Sequence, residues 1–119
     1  MAGPEKKSLN SPDEVRSFDK GMLQISRMDS GVVGRVTFNP GWKWSESVKP
    51  IAGTESCQVD HFSYQISGKM VVKMNDGTET ELNPGDAVHI PPGHDAWVVG
   101  DEPVVMVGFN EDNYAKPSE

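Results

Sequence analysis

The chain is short of cysteine, of positive charge and of long apolar runs, and each shortage removes a class of protein. Cys57 is the only cysteine, so no disulfide can close within the chain and a reducing compartment is expected. Lys and Arg number 11 against 18 Asp and Glu, a formal net charge of −7, and such a surface repels phosphates. No segment approaches the roughly 20 apolar residues that a membrane-spanning helix needs, and no apolar run follows the N-terminal lysines as a signal peptide would require. The expectation is a cytoplasmic protein with neither nucleic acid nor membrane as a partner. No serine or cysteine lies in a hydrolase motif, so a catalytic triad has no support.

What the chain has in quantity is turn residues. Twelve Gly and nine Pro stand in 119 residues of which 35% are hydrophobic, which favours many short strands in one domain over long helices. Residues 75–97, NDGTETELNPGDAVHIPPGHDAW, organise the rest. Asn75-Asp76-Gly77-Thr78 predicts a hairpin turn, and Asn83-Pro84-Gly85-Asp86 a second one, because Pro84 fixes φ and Gly85 tolerates a positive value. Between and after these turns, residues 78–82, 87–90 and 96–99 read as strands. Upstream, strands are expected over 22–28, 32–38, 42–47, 57–67 and 70–74, with a loop over 49–56; downstream, 104–109 is the last strand. Ser11-Pro12-Asp13-Glu14 reads as the start of a short helical turn, with Ser11 as its cap. The expected organisation is a flexible segment over 1–20 containing that turn, a barrel over 21–110 and a polar tail over 111–119.

The organising stretch resembles the second conserved motif of the cupin superfamily: glycine, five residues, proline, one residue, glycine, two residues, histidine. Gly85, Pro91 and Gly93 match that spacing, but Ala96 stands where the family's metal-binding histidine falls and His94 comes two residues early. Upstream, the family places a metal-binding glutamate with six residues between it and a glycine, and here His61 stands at that interval from Gly68. The resemblance covers residues 31–109. It implies an all-β fold, a jelly-roll barrel of two packed antiparallel sheets, and a homodimer as the expected assembly. It also implies a scaffold whose usual ligand set of three histidines and a glutamate has been replaced.

With His61 at the glutamate position, strand alternation sends Cys57, Val59, His61, Ser63 and Gln65 into the barrel. The other face carries Phe62, Tyr64 and Ile66, and is expected to lie beneath the N-terminal segment or a second subunit. His89 has the parity of an outward residue. The candidate pocket is His61, Ser63, Gln65, Cys57 and His94, with Trp42, Trp44 and Trp97 as apolar walls. Two functional readings follow. One is a barrel that binds a small molecule without the standard metal set. The other is a metal-dependent oxygenase or isomerase with His61 and His94 as ligands beside Cys57 or Glu46, and Glu55 as a further carboxylate. Its cofactor would be a divalent transition metal, zinc, iron or manganese.

Overall fold

Turn chemistry sets the strand lengths. In the computed structural model, which describes residues 3–110, 112 and 114–116, the turns after Met74 and Leu82 carry Gly77 and Gly85 at φ 94° and 93°. They separate β5 (Lys69–Met74), β6 (Glu79–Leu82) and β7 (Ala87–Ile90). β8 (His94–Val99) and β9 (Val104–Phe109) follow, and the upstream strands are β1 (Glu14–Phe18), β2 (Gly21–Met28), β3 (Gly31–Phe38) and β4 (His61–Ser67). The described strands form two antiparallel sheets, one in the order β1-β2-β3-β9-β4-β7 and the other β6-β5-β8. Their inner faces enclose a core built on Leu23, Ile25, Phe38, Val72, Val104 and Met106.

The chain crosses from the large sheet to the small one at Gly68. Its φ is +75°, and a Cβ there would lie 2.5 Å from the carbonyl oxygen of Pro103. Only glycine meets both conditions. Gln65, fully buried, ties the same corner by donating from Nε2 to the carbonyls of Gly68 and Leu82 at 2.7 and 3.1 Å.

Three expectations are corrected. The helical turn at Ser11 is absent: residues 11–13 are bends and coil, and β1 begins at Glu14 and pairs with β2. Paired strand burial outweighs the local capping signal. The strand expected over 42–47 is instead the short helix α1 (Trp44–Ser47), and the loop over 49–56 begins with a second, α2 (Lys49–Ala52), which Gly53 ends at φ 76°. Trp44, Ser47 and Val48 are buried at helical spacing, a period of 3.6 rather than 2. The strand expected from Cys57 starts only at His61, with Cys57 joined to His94 by an isolated bridge.

Among the described residues no helix is long and apolar enough to cross a membrane. The tail is not uniformly polar, since Tyr114 is buried against Phe18 and Phe38, and Arg16 donates to its backbone carbonyl at 2.8 Å. The remaining tail expectation, like that for residues 1 and 2, falls outside the described residues. On the N-terminal side, Arg35 holds the Leu9 carbonyl and the Asn10 side chain. Phe62, Tyr64 and Ile66 stay exposed in the single chain.

Candidate functional site

A cavity of about 50 Å³ opens between the sheets. By the handful of cubic ångströms that one water centre requires, it has room for roughly four waters. Apolar side chains form most of its wall: Leu23 and Val36 from β2 and β3, Trp42 and Trp44 from the following connection, Met70 from β5 and Met106 from β9. His61, Ser63 and His94 supply its polar side chains together with Tyr114.

Three donors meet at one place. One ligand atom each from Cys57, His61 and His94 lies within 4.8 Å of the other two, and the Cys57 Sγ to His61 Nε2 distance is 3.5 Å. Strand geometry explains how residues 57, 61 and 94 converge. Cys57 N–H donates to the His94 carbonyl at 2.8 Å and His94 N–H donates back at 3.3 Å, so these two positions face each other across a bridge. His61 begins β4, inward with Ser63 and Gln65 as alternation requires.

His94 occupies its place because a two-residue displacement along a strand keeps the same face. Its side chain and that of Ala96 both project inwards from β8, and both line the cavity. An inward histidine thus stands one inward position before the place where the expected spacing puts it. His94 is 2% exposed, and its Nδ1 lies 2.8 Å from the Pro91 carbonyl oxygen. A carbonyl only accepts, so Nδ1 carries a proton there and Nε2 is the ring nitrogen left for the cluster. The two imidazole rings sit edge to face with centroids 5.1 Å apart.

Burial by itself would raise the Cys57 thiol. Hydrogen bonds from His61 and then His94 outweigh it and bring the pKa down from 9.0 to about 6. The environment therefore favours the thiolate, the form that binds metals.

The other candidates divide. Ser63, Trp42 and Trp44 line the cavity, although Trp44 arrives from α1 rather than from a shared strand face. Gln65 faces inwards but serves the sheet corner and is not part of the cavity wall. Trp97 is corrected: it alternates with inward Ala96, lies outside the cavity wall, and has the Lys43 ammonium 5.4 Å from its ring centroid. Glu46 is exposed on α1 and is not in the donor group, and Glu55 is exposed and pairs with Lys49. His89 points outwards, as its parity requires, and meets Asp60 at 2.9 Å.

Sequence reasoning missed Tyr114, Gly34 and Gly108, all in the cavity wall. Tyr114 stands edge to face with His61, centroids 5.3 Å apart. Nothing local marks that contact, because its partners are far apart in the chain. The glycines had a signal, since each interrupts an apolar strand at an inward position.

A barrel of two antiparallel sheets with imidazoles projecting into it from β4 and β8 defines the double-stranded β-helix class. Residues 34–109 match the family described as Cupin domain, and the chain belongs to that family. Solved structures agree on the fold. A Rhizobium leguminosarum bv. viciae protein of unknown function is 17% identical with a TM-score of 0.61, covering 98% of this chain and 100% of that one. A Klebsiella pneumoniae protein with a double-stranded β-helix domain is 21% identical, TM-score 0.58, over 92% and 93% of the two chains. A cupin-like protein of Thermotoga maritima is 21% identical, TM-score 0.56, over 92% and 80%. Among curated proteins none matches the chain.

Proposed function

We propose that the barrel holds one transition-metal ion on Cys57, His61 and His94 and binds a small organic molecule beside it. The observation that carries this reading is the convergence of a thiol and two imidazoles, with their ligand atoms within 4.8 Å of one another. Tetrahedral ligation at ordinary metal–nitrogen and metal–sulfur lengths spaces donors by roughly 3.3–3.6 Å. The 3.5 Å between Cys57 and His61 already meets that spacing. The donor types suit zinc first, with iron or copper as the next fits; manganese prefers oxygen ligands, and both candidate carboxylates lie elsewhere.

When bound, such an ion supplies Lewis acidity at a position left open by three protein ligands. The chain's own residues do the rest. Pro91 orients the His94 ring through Nδ1, an outer contact of the kind that fixes which nitrogen ligates. Cys57 brings negative charge to a buried place. Trp42, Trp44 and Phe38 give the cavity an apolar wall, with the Phe38 ring stacked on Trp42, centroids 3.9 Å apart. Ser63 offers a hydroxyl on the same strand face as His61.

The test is elemental analysis of protein purified without a chelator or affinity tag. About one equivalent of a single transition metal is expected, lost in Cys57→Ser and in His94→Ala. No metal, even after incubation with zinc and iron salts, would overturn the reading in favour of a metal-free binding barrel.

A further inference from the structure

The wall of the cavity specifies its occupant more narrowly than the donor cluster does. Inward positions of three neighbouring strands lie in one row: Ser63 of β4 pairs with Gly108 of β9, which pairs with Gly34 of β3. All three line the cavity. Two glycines directly opposite each other leave no side chain on that part of the wall, so the space beside His61 exists because this row is empty of bulk. His61 is the next inward residue along β4 from Ser63, which sets the row beside the donor group.

The charge pattern is equally plain. Among the described residues that line the cavity there is no Asp, Glu, Lys or Arg. Arg16 and Arg27, the arginines of β1 and β2, are engaged instead by Glu14 and Asp112. A carboxylate or phosphate entering the cavity would lose its water and find no protein cation there.

We infer that the ligand of this cavity is a compact, uncharged and largely apolar molecule. It lies on the Gly34–Gly108–Ser63 row and presents a single heteroatom to the Cys57–His61–His94 group. The inference rests on the metal reading for the heteroatom's anchor, whereas the selection against charge and bulk rests on the wall alone. Molecules that carry hydroxyl or charged groups away from the donor end, as sugars and amino acids do, are excluded as the preferred class, because those groups would be buried against Leu23, Val36, Met70 and Met106 without partners.

The experiment uses two probes of matched length, 1-propanethiol and 3-mercaptopropionate, which share a thiol head and differ in a carboxylate at the far end. Each is titrated into protein loaded with cobalt(II), read by thiolate-to-cobalt absorption, and into metal-free protein, read by tryptophan emission. The neutral thiol is expected to bind at least about tenfold more tightly than the carboxylate in either form. Gly34→Ala tests the row. An added Cβ meets Leu23 Cδ1 at 3.0 Å, so either the methyl or the displaced leucine takes up cavity space, and the neutral thiol should weaken by about tenfold. If that variant does not fold, Ser63→Val fills the same row and should act in the same direction.

Equal or tighter binding of 3-mercaptopropionate overturns the inference. So does unchanged propanethiol affinity in the row-filling variant. Failure of the metal reading is seen separately, as a cobalt titration without thiolate absorption from Cys57, and in that case the tryptophan titrations still decide between neutral and charged occupants.

Discussion

The two faces of β4 invert the usual arrangement of an antiparallel strand. Inward stand His61, Ser63 and Gln65, the last with 0% of its surface exposed, whereas Phe62, Tyr64 and Ile66 point outwards at 62%, 49% and 50% exposure. An antiparallel strand with one solvated face ordinarily carries its apolar residues inside. The inversion separates two purposes. Inner polar groups are kept where each has a specific task, two carbonyls to satisfy for Gln65 and a donor set to complete for His61. The outer apolar groups pack little, apart from Phe62 against Phe109 at 6.4 Å, and so contribute little to the stability of the single chain.

That contrast predicts effects of very different size. The largest belongs to the histidines. His94→Ala should weaken metal affinity by at least about 100-fold, while His89→Ala, on the outer face of the large sheet beside Phe62, should leave it unchanged. Competition with a chromogenic chelator measures both. Equal losses would break the distinction between the faces.

Next comes Gln65→Leu, which leaves the carbonyls of Gly68 and Leu82 without their donor and should cost about 1–3 kcal/mol in urea denaturation. A mild counterweight exists, because Gln65 Oε1 is itself buried and has no hydrogen-bond partner among the described residues. A variant as stable as the parent would mean that relief of this oxygen offsets the lost donor.

The thiol gives an intermediate effect. In metal-free protein the ultraviolet absorbance of the Cys57 thiolate should titrate near pH 6, and His61→Ala should move the midpoint upwards by removing the strongest lowering contact. Because the folded value lies below the ordinary 9.0, this group stabilises the fold fully above about pH 9, and that contribution is lost as the pH falls from 9 to 6. A midpoint near the free-cysteine value of about 8.5 would show that the imidazoles do not engage the sulfur.

The smallest effect is on the outer face, where Tyr64→Ser should change stability by no more than about 0.5 kcal/mol. A larger loss, accompanied by a change in sedimentation, would show that this face is covered in solution.

The sequence made the barrel legible because its turns are written in residues whose backbone preferences are strong. Pro84-Gly85 and Asp76-Gly77 bound β6, and the limits expected for the strands at 87–90 and 104–109 agree with β7 and β9 to the residue. The connection at 42–52 was not legible as helix. Trp42 and Trp44 suggest alternation over so short a span, and the helical spacing of Trp44, Val48 and Ile51 emerges only when the window extends past Pro50.

The donor group was partly legible. Period-2 alternation puts His61 and Ser63 on one face and makes His94 equivalent in direction to Ala96, whereas Cys57, expected on the same strand, reaches the group through its bridge to His94. What alternation cannot supply is depth or reach. It gives no reason why Glu46 stays on the surface, which depends on how α1 sits against the sheets; for Trp97 the same rule, applied from Ala96, would have turned the ring away. Tyr114 lies further still from any local signal, because its place against His61 is set by packing on Phe18 and Phe38.

The reciprocal backbone bond between Cys57 and His94 also divides the work of assembling the site. Two of the three candidate donors are tied to one another at the main chain, so the spacing of their Cα positions is set by one rung of bridge. His61 comes to the same place from the start of β4, in the other sheet. The meeting of thiol and imidazoles is thus a join between the two sheets, and its geometry records how those sheets are packed.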